Sequence, residues 1–272
     1  MIEAQDITVD IAGRRILHEI SFSARPGALT AVIGPNGSGK STLLKAICRD
    51  HRYGGMIRLN GQDLSGLNAA QAASLRAVLP QASTLPFPFT VREVVALGLT
   101  AGRPGVPPGA LHRLPDLALD RVDLAGFGGR LYGELSGGEQ QRVQLARVLA
   151  QVWVPVLDGV PRYLLLDEPV SSLDIKHQIL IMDVARQFAQ QGGGVIAILH
   201  DLNLAAIYAD QILALRDGRL HGCGAPADLL TDQLIADVFD CPMRVGLVPP
   251  AHIPFVLPQS ADQAARLIPK VA

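Results

Sequence analysis

No stretch of this 272-residue chain approaches the ~18–20 consecutive apolar residues that a membrane-spanning helix needs. Any membrane role is therefore expected to run through another chain. The first residues include Glu3 and Asp6 and lack a basic segment followed by an apolar one, so no secretory leader is expected. An excess of charge of either sign is also missing. Against 24 lysines and arginines stand 25 aspartates and glutamates, a net charge of −1, which gives nucleic acid no electrostatic footing. Cysteine is scarce: Cys48, Cys223 and Cys241 are odd in number and lack metal-ligand spacing, as expected of buried or incidental thiols in a reducing compartment. Only 18% of residues are charged while 49% are hydrophobic, which reads as a globular chain with some surface covered by a partner. The length suffices for one large or two ordinary domains, and no internal repeat is visible.

What is present is a glycine-rich loop in a telling context. Gly34, Pro35, Asn36, Gly37, Ser38, Gly39, Lys40 and Ser41 follow an apolar, strand-like run from Leu29 to Ile33 and precede a helical pattern that starts at Thr42. Such a loop turns successive backbone N–H groups toward one point at a helix N-terminus, where the helix dipole also favours an anion. Lys40 would add a full charge for the β- and γ-phosphates of a nucleotide, and the Ser41 hydroxyl is placed to ligate Mg²⁺.

Short apolar runs elsewhere predict strands at Ile7 to Ile11, Ile20 to Ser23, Met56 to Leu59, Tyr163 to Leu166, Val195 to Leu199 and Gln211 to Arg216. The first two flank a turn at Gly13, Arg14 and Arg15; most of the others end at Gly, Asp or Pro and read as buried parallel strands. Between Thr90 and Ala150 the period becomes helical, interrupted by the Pro- and Gly-rich loop from Gly102 to Gly109. A helical insert in an α/β domain accounts for this, followed by a tail from Gly246 to Ala272 that is Pro-rich and then weakly helical.

Two further segments carry chemistry. Tyr163 to Pro169 places the carboxylates of Asp167 and Glu168 at the end of a buried strand, where Asp167 can hold Mg²⁺ and Glu168 can deprotonate the water that attacks a γ-phosphate. Leu135 to Arg142 offers the Ser136 hydroxyl and the N–H groups of Gly137, Gly138 and Glu139 at a second helix N-terminus. One chain already has one phosphate cradle. A second cradle implies that two copies meet head to tail and share each nucleotide.

With these motifs the sequence resembles the ATP-binding cassette ATPases. The resemblance implies a P-loop NTPase (RecA-like) α/β core over about 1–85 and 152–245, with an N-terminal antiparallel β subdomain, a helical subdomain over about 86–151, and a C-terminal tail, 246–272, packed on the core. It makes Leu135 to Gln140 the signature motif, which binds ATP in trans through Ser136, Gly137, Gly138 and Glu139. Gln81 resembles the Q-loop glutamine near the metal site, Ser172-Leu173-Asp174 the D-loop of the dimer interface, and His200 the switch histidine. The implied nucleotide ligands are Gly34 through Thr42, the implied metal ligands Ser41, Gln81 and Asp167, and the implied catalytic residues Glu168, His200 and Gln81. Where many relatives carry an adenine-stacking aromatic residue, this chain has Ile11, and Val170 stands where threonine is common.

Leu79 to Val95 and His200 to Ala206 look like the importer branch that serves iron chelates, cobalamin and haem. The Phe87-Pro88-Phe89 sequence and an expanded stretch from Gln151 to Arg162 are most similar to the haem-importer ATPases. The implied cofactors are ATP and Mg²⁺. The implied partners are a second copy, two permease subunits and, indirectly, a periplasmic substrate-binding protein, on the cytoplasmic face of the inner membrane. Phe87 and Phe89 are expected near a groove for a permease helix or in the core, and His177 and His221 as solvated or capping histidines, not haem ligands.

Overall fold

The central strands are apolar on both faces, and alternate side chains divide between two cores. Leu29, Ala31 and Ile33 enter one cluster and Val32 the other; Leu164 and Leu166 oppose Tyr163 and Leu165 in the same way. The computed structural model describes residues 1–81 and 87–260. Its main sheet has the strand order Arg219–Gly224, Gln211–Arg216, Leu29–Ile33, Gly194–Ile198, Tyr163–Asp167 and Arg76–Leu79. All neighbours are parallel except Arg219–Gly224, which closes one edge as an antiparallel strand.

A second, antiparallel sheet packs on one side, built from Ile2–Ile11, Arg14–Ala24, Gly54–Leu59 and Gln62–Asp63. Gly54–Leu59 pairs with the first strand antiparallel, and only alternate residues near its end are buried, so the strand expected at Met56 to Leu59 is a one-sided one, unlike the buried parallel strands that most of these runs form. Its side chains share the cluster of the helix Lys40–Cys48, which leaves the opposite strand face to solvent.

On the other face lie the helices Val91–Ala101, Leu114–Arg121, Gly137–Gln151 and Ile175–Gln190. Their starts are written locally. Thr90 with Glu93 and Ser136 with Glu139 form reciprocal capping boxes, and Asp174 caps Ile175–Gln190 through the N–H of His177. After the loop at Gly102 the chain makes a 3-10 turn, Pro108–Arg113, before Leu114–Arg121.

The expansion before the acidic strand forms a small hairpin, Val156–Leu157 against Val160–Pro161. Arg162 fastens it from inside. The buried guanidinium donates to the carbonyls of Val154, Arg103 and Pro104, and burial lowers its pKa to about 10. Past the helix Asp232–Phe239 the chain runs over the surface with Leu247, Val248, Phe255 and Val256 exposed, so this stretch of the expected tail does not bury its apolar side chains in the core. Pro249, Pro250 and Pro254 deny it regular hydrogen bonding. The turn Pro258–Ser260 touches the helix Leu202–Tyr208, and the weakly helical end of the tail, 261–272, lies outside the described residues.

Candidate active site

The parallel strands deliver three loops to one end of the sheet, as expected for ligand sites of open α/β sheets. The first loop leaves Ile33, bends through Gly34, Gly37 and Gly39, all at positive φ, and enters the helix Lys40–Cys48. Lys40 is buried and its ammonium donates to the carbonyl oxygens of Gly34 at 2.8 Å and Pro35 at 2.9 Å. Burial lowers its pKa, against the opposing pull of Glu168 and Asp167. The buried Ser38 hydroxyl oxygen finds no hydrogen-bond partner among the described residues. Asn36 is exposed, and Pro35, Ser41 and Thr42 are half-buried along the same rim.

The second loop follows Tyr163–Asp167. The Ser41 hydroxyl donates to Asp167 Oδ1 at 3.1 Å, joining the phosphate loop to the acidic strand. Burial raises the Asp167 pKa, and the neighbouring Glu168 adds to the rise, while the Ser41 bond lowers it. Glu168 takes a left-handed backbone with φ 51. Its carboxylate meets two predicted partners: Gln81 Nε2 donates to Oε2 at 3.0 Å, and His200 Nε2 lies 2.7 Å from Oε1. His200 stands on the third loop, just after Gly194–Ile198. Gln81, Glu168 and His200 are thus one hydrogen-bonded cluster beside Lys40, Ser41 and Asp167.

The remaining sequence-derived residues lie apart. Ser136 Oγ donates to Glu139 Oε2 at 2.6 Å, and among the described residues no hydrogen bond joins Ser136, Gly137, Gly138 or Glu139 to the phosphate loop. Asp174 holds His177 Nδ1 at 2.7 Å, and its pKa is lowered first by the His177 backbone N–H. Ile11 is exposed at the tip of its hairpin. The part of that hairpin that approaches the phosphate loop is instead Ile16 and Leu17, which border Gly39. Phe87 is exposed and meets the partly buried Phe89 edge-on, with ring centroids 6.1 Å apart; residues 82–86 of the importer-like segment lie outside the described residues.

Sequence reading missed Gln141, whose amide donates to the Glu168 carbonyl at 3.0 Å and accepts from Ser172 Oγ at 2.5 Å. Its place four residues after Gly137 and three after Gly138 was a signal that it shares a helix face with them. No helix among the described residues is long and apolar enough to cross a membrane.

The ABC transporter family model matches residues 17–171. The hemin import ATP-binding protein HmuV of Mesorhizobium japonicum is 64% identical, over 96% of this chain and 99% of its own length. HmuV of Rhizobium meliloti is 58% identical over the same shares. Among solved structures, an ATP-binding cassette in its ADP conformation superposes with a TM-score of 0.73 at 22% identity, covering 88% of this chain and 98% of that one, a likeness of fold. A bacterial Atm1-family ABC exporter with ATP bound gives a TM-score of 0.72 at 30% identity, covering 88% of this chain and 41% of that one. A family match over more than half of the chain, with relatives 64% and 58% identical over 96% of it, makes the chain a member of the ABC transporter family and one of its ATP-hydrolysing subunits.

Proposed function

We propose that this chain powers a bacterial haem importer. The observation that supports the cargo is its 64% identity, across 96% of its length, to a protein named for hemin import. Import of a ferric siderophore or cobalamin is the second reading, favoured by the segments around Gln81 and His200 that this importer branch shares. A cassette ATPase without a transport role is the reading from another class; co-purification with a multi-spanning membrane protein separates it from an importer.

In the proposed mechanism the loop from Gly34 to Thr42 receives the phosphates of ATP. The carbonyl-bound ammonium of Lys40 and the unpartnered Ser38 hydroxyl support this, since both are buried polar groups that an anion would engage. The oxygen pair of Ser41 and Asp167, 3.1 Å apart, fits Mg²⁺, which takes hard oxygen donors, and a cation would also compensate the buried carboxylate. Ser41 and Asp167 would hold the ion, which would supply positive charge against the negative charge that develops on the phosphates. Gln81 would be shared between that ion and Glu168. Glu168 would take the proton of the attacking water, and His200 would orient its carboxylate. The Ile11 hairpin would give adenine apolar packing without ring stacking.

Ser136, Gly137, Gly138 and Glu139 would serve the nucleotide of a second copy, with Ser172 and Asp174 at the dimer interface. Core segments about 1–85 and 152–245 would then move against the helical part, about 86–151, and so drive two permease subunits on the cytoplasmic face of the inner membrane. A periplasmic substrate-binding protein would deliver cargo on the far side. Reconstitution with the permease in liposomes, with haem, ferric chelate and cobalamin in competition, tests the cargo. Haem accumulation that needs ATP and stops with Glu168→Gln is expected; uptake of either rival in preference to haem would refute the assignment.

A further inference from the structure

Glu168 holds a conformation that its own sequence does not favour. Its φ of 51 is left-handed, and Pro169 pushes the residue before it toward extended backbone. A residue in this state persists only where its surroundings over-determine it. The handle here is the Glu168 carbonyl oxygen. It accepts from Ser171 N at 3.4 Å and Ser171 Oγ at 3.2 Å, both within its own turn, and from Gln141 Nε2 at 3.0 Å. Gln141 alone of these comes from another element, the helix Gly137–Gln151, whose first turn carries Ser136 to Glu139. The other end of the same amide is occupied too, because Ser172 Oγ donates to Gln141 Oε1 at 2.5 Å. Gln81, Gly137, Gln141, Ser171 and Ser172 line one cavity of about 210 Å³, so the bond runs across a gap between the helix and the core.

We infer that Gln141 is a positioning residue: it pins the Glu168 peptide to the signature helix and to Ser172, so that the proposed base is aimed only while that helix is seated. The inference rests on the proposed role of Glu168. Gln141 makes no hydrogen bond to Gly34–Ser41 among the described residues, so its loss acts on the chemical step and leaves nucleotide binding alone.

The test is steady-state ATP hydrolysis by the full chain with its permease, comparing Gln141→Ala, Gln141→Glu and Glu168→Gln. Gln141→Glu keeps the length of the side chain and can still accept from Ser172, yet its carboxylate cannot donate to the Glu168 carbonyl. Both Gln141 variants are expected to lose about tenfold to about a hundredfold in kcat with KM for ATP within about twofold of wild type. The activity of Gln141→Glu relative to wild type at the same pH should rise as pH falls from about 8 to about 6, since a protonated carboxyl donates again. A packing defect would not give that recovery. Wild-type kcat in both Gln141 variants, a loss carried in KM, or a relative activity flat with pH overturns the inference, provided Glu168→Gln is inactive. Turnover by Glu168→Gln overturns the role of Glu168 itself.

Discussion

Gly34→Ala is expected to destabilise the phosphate loop more than Gly37→Ala, and the reason is its neighbour. Gly34 has φ 148, and a Cβ there would overlap the carbonyl oxygen of Leu215 and stand 2.8 Å from Ser38 Oγ. Leu215 belongs to Gln211–Arg216, which is hydrogen-bonded in register to Leu29–Ile33, so neither backbone can yield without breaking sheet pairing. The loop would have to move by about 1 Å in a close-packed interior. Backbone strain of about 1–3 kcal/mol and overpacking of similar size together give about 3 kcal/mol, a fall in Tm of about 6–12 °C. The same shift carries off the Gly34 carbonyl that holds Lys40 at 2.8 Å, so kcat/KM for ATP should fall about a hundredfold. Gly37→Ala is the control. Its φ of 80 is strained, but a Cβ meets nothing within 4 Å, so the cost is the backbone's alone, about 1–2 kcal/mol. Scanning calorimetry of the ligand-free protein and ATPase assays read both effects. A Gly34→Ala protein that melts with Gly37→Ala and keeps wild-type kcat/KM would refute the steric argument.

Asp167→Asn is expected to stabilise the ligand-free protein while abolishing Mg²⁺-dependent hydrolysis. Burial raises the Asp167 pKa in the folded state, so its ionised form costs stability above that pKa, and the cost disappears as pH falls below the unfolded value. Urea midpoints of the variant should therefore exceed wild type at neutral pH and converge with it in acid; an equal gain at all pH values would contradict the cause. Ser136→Arg should block hydrolysis yet spare ATP binding by the isolated subunit. Mixing Lys40→Ala chains with Ser136→Arg chains leaves one composite site with both lesions and one with neither, so activity above either homodimer is expected, and wild-type activity of the Ser136→Arg homodimer would exclude a site shared between copies.

Local chemistry made much of the site legible in the sequence. A glycine-rich turn between an apolar strand and a helix can be read from neighbours in the chain, as can Asp167 and Glu168 at a strand end, and capping boxes such as Ser136 with Glu139 need only an i to i+3 spacing. Gln81 and His200 are single residues without such a local pattern, and family resemblance located them; their meeting on Glu168 is a tertiary result. The same holds for Gln141, which looks like any helical glutamine until the carbonyl it serves, 27 positions away, is brought beside it.

Strand partners divide in the same way. Near-continuous apolar runs told that Leu29 to Ile33 and Tyr163 to Leu166 are covered on both faces, because successive side chains of a strand point to opposite sides. They could not tell that Arg76–Leu79 pairs with Tyr163–Asp167 at the sheet edge, or that Gly54–Leu59 runs antiparallel to the first strand. Pairing is a relation between segments far apart in the chain, and the hydrogen bonds that make it are identical backbone groups whatever the side chains. The sequence by itself therefore determined which residues could hold a phosphate, a cation or a proton. Only the packing of the two sheets and the helical layer decided which of them share one site, since that depends on distances no local pattern encodes.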